Sequence, residues 1–101
     1  MSPYIQDIDL ITTFQLFKVM LFKHCDSEFT IAYRNSNDTT FTEVETRYAS
    51  AELAVESVFS RIISFMACSN ESYVGCVVSD GCLFISEQEI EEISRGLVKF
   101  S

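Results

Sequence analysis

The sequence predicts an α+β domain: a mainly antiparallel sheet of about four strands, in two hairpins, with two or three packed helices in the order α-ββ-α-ββ-α. Three observations lead there. The chain is 48% hydrophobic despite a net charge of −8 on 101 residues, which describes a folded core under an acidic skin and not a solvating tail. Its hydropathy switches between helical spacing and alternation. Polar turn residues separate the periodic segments, most clearly at Asn35–Asp38 and Asp80-Gly81. Residues 1–101 are read as one domain, since a second would be too small to bury a core.

From Asp9 to Lys23 the spacing of Leu10, Phe14, Phe17 and Leu21 predicts a first helix, apolar nearly all round and therefore covered on more than one side. Phe29, Ile31 and Tyr33 then alternate with Thr30, Ala32 and Arg34, as in a strand with one buried face. A second strand over residues 40–48 closes the hairpin. Phe41 is out of phase with Val44 and Tyr48, so a bulge or a late start is expected there.

Ser50 is a cap for the next helix, with Glu52 in its first turn. Ala51, Ala54, Val55, Val58, Ile62, Phe65 and Met66 form its apolar stripe, opposite Glu52, Glu56, Ser60, Arg61 and Ser64. A second hairpin is expected over residues 73–85 around Asp80-Gly81. That register would set Val78 against Leu83, Val77 against Phe84 and Cys76 against Ile85. Ser86-Glu87-Gln88-Glu89 reads as a capping box opening a last helix through Arg95. Gly96 would be its left-handed stop, before a final strand or docked tail over residues 97–100.

Motif chemistry points away from catalysis. His24 stands next to Cys25 and Asp26, but a nucleophile and its base are neighbours in space rather than in sequence. Cys25, Cys68, Cys76 and Cys82 lack zinc spacing, and the hairpin register sends Cys76 and Cys82 to opposite faces, so they read as free, buried thiols. Gly75, Gly81 and Gly96 are isolated, which leaves no phosphate-cradling loop. No cofactor and no metal is expected. Seven bases against fifteen acids would repel DNA or RNA. No apolar run is long enough to span a bilayer and the first residues lack a secretory pattern, so a cytoplasmic location is expected.

The negative charge is concentrated. Residues 1–24 balance, 26–61 carry seven acids against three bases, and 71–99 carry six against two. Glu43, Glu45, Glu52, Glu56, Glu87, Glu89, Glu91 and Glu92 are therefore the candidate partner-binding residues, facing a basic surface of a nucleic-acid-binding protein. In size, charge and lack of motifs the chain resembles the small acidic inhibitors of phages and mobile elements, anti-CRISPR proteins and DNA mimics among them, and also immunity proteins against nuclease toxins. That resemblance implies a non-enzymatic inhibitor that blocks a basic partner, in the host cytoplasm if phage-encoded.

Two other classes fit the composition. A homo-oligomeric structural or assembly protein would hide the apolar excess, and Phe17 and Met20 on the expected first helix are the candidate dimer interface. A small-molecule binder would line a pocket with Tyr33, Tyr48 or Tyr73.

Overall fold

Strong alternation of burial along three successive segments defines the molecule. The computed structural model describes residues 3–79 and 83–98. Four strands, β1 (Tyr4–Thr12), β2 (Leu16–Cys25), β3 (Glu28–Asn35) and β4 (Thr42–Tyr48), are followed by α1 (Ala51–Ser69), β5 (Tyr73–Val78) and α2 (Glu87–Val98). The α+β class and the antiparallel sheet are as expected. Among the described residues the sheet has five strands, in the order β4-β3-β2-β1-β5, and there are two helices.

The expected first helix is the main correction, because residues 9–23 form most of the β1–β2 hairpin. The buried residues are Gln6, Ile8, Leu10 and Thr12 on β1 and Phe17, Val19 and Leu21 on β2, a period of two. The turn between them has no glycine, proline or asparagine. It is held instead by the Thr12 hydroxyl, which accepts from the Gln15 amide at 3.1 Å, and by Glu71, whose carboxylate accepts from the Thr12 hydroxyl and, at 2.8 Å, from the Gln15 carboxamide. Two of those contacts come from a residue far along the chain, so local sequence carries no sign of them.

The hairpin of β3 and β4 is as expected, and its pairing shifts register between Phe29 and Ile31, with β4 starting after Phe41. Helix α1 also follows the sequence. Ser50 Oγ accepts from the Leu53 amide, and the helix ends where Asn70 turns left-handed at φ 58°, its amide bonded back to Met66. Of the expected stripe only Phe65 departs, standing 39% exposed with its edge against Phe17, while Phe59 is fully buried in its stead.

The second hairpin is the other correction. β5 pairs with β1, placing Cys76 beside Leu10 and Val78 beside Ile8, and residues 83–86 are not a strand. The buried carboxamide of Gln6 takes the backbone groups of that segment: its oxygen accepts from the amides of Phe84 at 2.6 Å and Ile85 at 3.1 Å, and its nitrogen donates to the Ile85 carbonyl at 2.8 Å. Asp80, Gly81 and Cys82, on which the expected turn and the fourth thiol rest, lie outside the described residues.

The capping box of α2 is present, with Ser86 Oγ accepting from the Glu89 amide at 3.2 Å and Glu89 Oε1 accepting from the Ser86 hydroxyl at 3.0 Å. The helix does not stop at Gly96 but continues to Val98, so Leu97 and Val98 are helical and no final strand starts there. Residues 99–101 lie outside the described set.

Both helices pack on one face of the sheet, α1 against β2, β3 and β4 and α2 against β5 and α1. Between helices and sheet lies a single apolar core that includes Leu21, Ile31, Phe59, Ile62, Ile85 and Ile90. Among the described residues the opposite face of the sheet carries no helix.

Candidate partner-binding surface

The amphipathic pattern of α1 dictates where its acids go. With Ala51, Ala54, Val55 and Val58 buried, Glu52 and Glu56 are turned outward. In α2 the buried Ile90 and Ser94 fix the rotation, which brings Glu89 and Glu92 to the side facing α1. The Glu89 carboxyl meets that of Glu52. One turn further on, Glu56 and Glu92 share a hollow of about 350 Å³ with Ile93, Gly96 and Leu97. Four of the eight candidate acids, two from each helix, thus border one interhelical seam.

The remaining four are dispersed. Glu87 is exposed in the first turn of α2. Glu91 points back to β5, where its carboxylate accepts from the Tyr73 hydroxyl at 3.2 Å and the Cys76 thiol at 3.6 Å. Glu43 and Glu45 flank the buried Val44 on β4 and so face the other side of the sheet, at a hollow of about 380 Å³ that also contains His24 and Arg47. The eight acids therefore do not form one surface.

Cation placement separates the two sides. The described residues contain three ion pairs, Lys18 with Asp9, Lys23 with Asp26 and Arg47 with Glu28, all within the sheet and its turns. Among the described residues no glutamate of α1 or α2 is paired with a cation. The Ser86 hydroxyl holds the carboxyl of Glu89 below its ordinary range, so it keeps its charge in mildly acid solution. An anionic seam with no internal counter-charge attracts an external one.

The other candidates are placed as follows. Phe17 lies in the core at 3% exposure and offers no surface to a partner, a correction that follows from the strand in place of the helix. Met20 is half-buried on the helix-free face, so the two residues are on opposite sides of β2. The hydroxyl of Tyr48 bonds Ser57, and Tyr73 packs its edge on Phe59 while bonding Glu91. Neither these two nor Tyr33 lines either hollow.

His24, Cys25 and Asp26 each turn to a different neighbour: His24 Nε2 to Thr30 Oγ1 at 2.7 Å, Cys25 to Glu28 and Asp26 to Lys23. Cys25 and Cys68 are exposed, and only Cys76 is buried among the described thiols. Burial pushes the Cys76 thiol up to about 11, which keeps it protonated and unreactive at neutral pH. Among the described residues no cluster of ligands could hold a metal ion, and no helix is long and apolar enough to cross a membrane. No protein-family model, curated protein or solved structure matches the chain.

Sequence reasoning missed two features of this surface. The meeting of Glu52 with Glu89 depends on how α1 and α2 pack, which no local pattern encodes. In the sequence Glu71 reads only as charge, and its role as the clamp on the β1–β2 turn comes from the fold.

Proposed function

We propose that this chain is a small acidic protein-binding inhibitor that occupies the basic surface of a nucleic-acid-handling protein, as the profile of phage and mobile-element inhibitors of the anti-CRISPR or DNA-mimic kind implies. One observation carries the reading: Glu52, Glu56, Glu89 and Glu92 border one seam between two helices, and no cation among the described residues neutralises them. Arginines and lysines that normally contact phosphate would find carboxylates there, each able to accept charge-assisted hydrogen bonds. Fixing the acids on two packed helices spares the partner the entropy of ordering them. The field of a chain with net charge −8 accelerates encounter and repels other acidic proteins.

The test is a comparison of the wild type with a variant in which Glu52, Glu56, Glu89 and Glu92 are all replaced by Gln, its fold checked by circular dichroism. Both are immobilised and exposed to cell lysate at low salt. The expected result is capture of basic nucleic-acid-handling proteins by the wild type alone, released by duplex DNA and by raised salt. Equal capture by the Gln variant, or no such protein captured by the wild type, would overturn the proposal.

A further inference from the structure

The helix-free face of the sheet carries more apolar residues than a solvated face should. An antiparallel sheet open to water on one side alternates apolar and polar residues. Here the outward positions of the three inner strands include Ile5 and Ile11 on β1, Leu16, Met20 and Phe22 on β2, and Ala32 on β3, with Val77 beside them on β5; among them stand Asp7, Asp9, Lys18 and Arg34, and Glu43 and Glu45 lie at the β4 edge. Ile5 and Val77 are 50% and 53% exposed, and Ile11, Leu16, Met20 and Phe22 are only partly covered by their neighbours. This second apolar face is also why residues 9–23 read as a helix apolar all round.

We infer that this face is the interface of a two-fold homodimer, two sheets packed face to face with the axis running along β2. Size is the first argument. Five strands about 4.8 Å apart and about eight residues long present about 650 Å², within the roughly 600–1,000 Å² per partner of a specific interface. The second is charge. Register places Asp9, Lys18 and Arg34 in one row across β1, β2 and β3. A two-fold axis along β2 lays β1 over the partner's β3, so Asp9 comes to face the partner's Arg34.

That pairing answers a local deficit. Lys18 already holds Asp9 at 3.4 Å, whereas Arg34 donates only to the carbonyls of Asn35 and Asp38 and stacks on Phe41, with no carboxylate in ion-pair reach among the described residues. On the axis, Met20 meets its own copy, flanked by Phe22, and an unbranched thioether adapts to self-contact; Lys18 also meets its own copy there, each ammonium held by the Asp9 carboxylate of its own chain. The helices then lie on the two outer sides of the dimer and leave each acidic seam open. The inference is independent of the proposed function.

Sedimentation equilibrium of the whole chain tests it. The wild type is expected at twice its 11.5 kDa mass, and Met20→Glu at 11.5 kDa with an unchanged circular dichroism spectrum. Asp9→Arg and Arg34→Asp should each weaken association about tenfold or more, and the two together should restore it, because the reversed pair faces itself across the axis. The charge pair decides the matter should Met20→Glu not fold. A wild type that stays monomeric up to submillimolar concentration, a dimer that survives Met20→Glu, or a double variant no tighter than the singles would each overturn the inference.

Discussion

Gln6 on β1 and Ile85, seventy-nine residues later, are joined like two residues of adjacent strands, although only one of them is in a strand: the Gln6 carboxamide donates to the Ile85 carbonyl at 2.8 Å and accepts from its amide at 3.1 Å. A side-chain amide carries the same donor and acceptor as a peptide group, so it can substitute for a ladder that the backbone does not supply. Here it ties the segment before α2 across the end of the core, where Ile85 is buried and Phe84 packs edge-on against Phe29.

Replacing Gln6 with Leu keeps the volume but leaves the amides of Phe84 and Ile85 and the carbonyl of Ile85 without that partner. Buried unpaired groups cost about 1–3 kcal/mol each, and the partial exposure of Phe84 and the apolar burial of Leu offset part of the sum over the three, so a loss of about 2–4 kcal/mol in unfolding free energy is expected by urea titration. A loss below about 1 kcal/mol would mean that water or another group satisfies them.

The capping box gives a pH dependence with a definite sign. Glu89 is held below its ordinary value of 4.5, chiefly by the Ser86 hydroxyl. A carboxyl depressed in the folded state stabilises the fold fully above its unfolded value, and that contribution is lost as pH falls through the lower folded value. Stability should therefore decline below about pH 4.5, and Ser86→Ala should shrink that decline while costing about 1 kcal/mol at neutral pH through the lost cap. An unchanged acid limb in Ser86→Ala, followed by thermal melts across pH, would refute the assignment.

Legibility in the sequence followed the locality of the causes. Helix α1, its Ser50 cap, the β3–β4 hairpin and the Ser86–Glu89 box are each set by residues within a few positions of one another, and all are found where the sequence places them. The β1–β2 hairpin was hidden because Ile11, Leu16, Met20 and Phe22 make its outer face apolar enough to blur the alternation that distinguishes a strand, and because its turn is clamped by Glu71. The strand partner of β5 was hidden because Gln6 competes for Ile85. Of the acidic site, outward orientation was legible from amphipathicity, but grouping into one seam depends on the packing of α1 with α2, and Glu43 and Glu45 fall on the other face.

Gly96 offers a test that separates a helix interior from a helix stop. It lies within α2, and a Cβ built there meets nothing within 4 Å. Gly96→Ala should therefore raise stability by about 0.5–1 kcal/mol, through helix propensity and a less flexible unfolded chain. A left-handed stop at this position would make the same substitution destabilising, so the sign of the change in melting temperature decides between them.

Cys76 should be the protected thiol. Burial raises it to about 11, the carboxylates of Glu91 and Glu87 add to the rise, and the hydrogen bond with Tyr73 opposes it; burial also raises the Tyr73 hydroxyl above its ordinary 10.0. At pH 8 iodoacetamide, read by peptide mass spectrometry, should label the exposed Cys25 and Cys68 well before Cys76. The unfolded thiol releases its proton near 9.0 and the folded one near 11, so between those values the folded state holds more protons and stability falls as pH rises. Cys76→Ala should flatten part of that alkaline fall, the rest belonging to Tyr73. Labelling of Cys76 as fast as Cys68, or an alkaline limb identical in Cys76→Ala, would show that the thiol is not enclosed between β5 and α2.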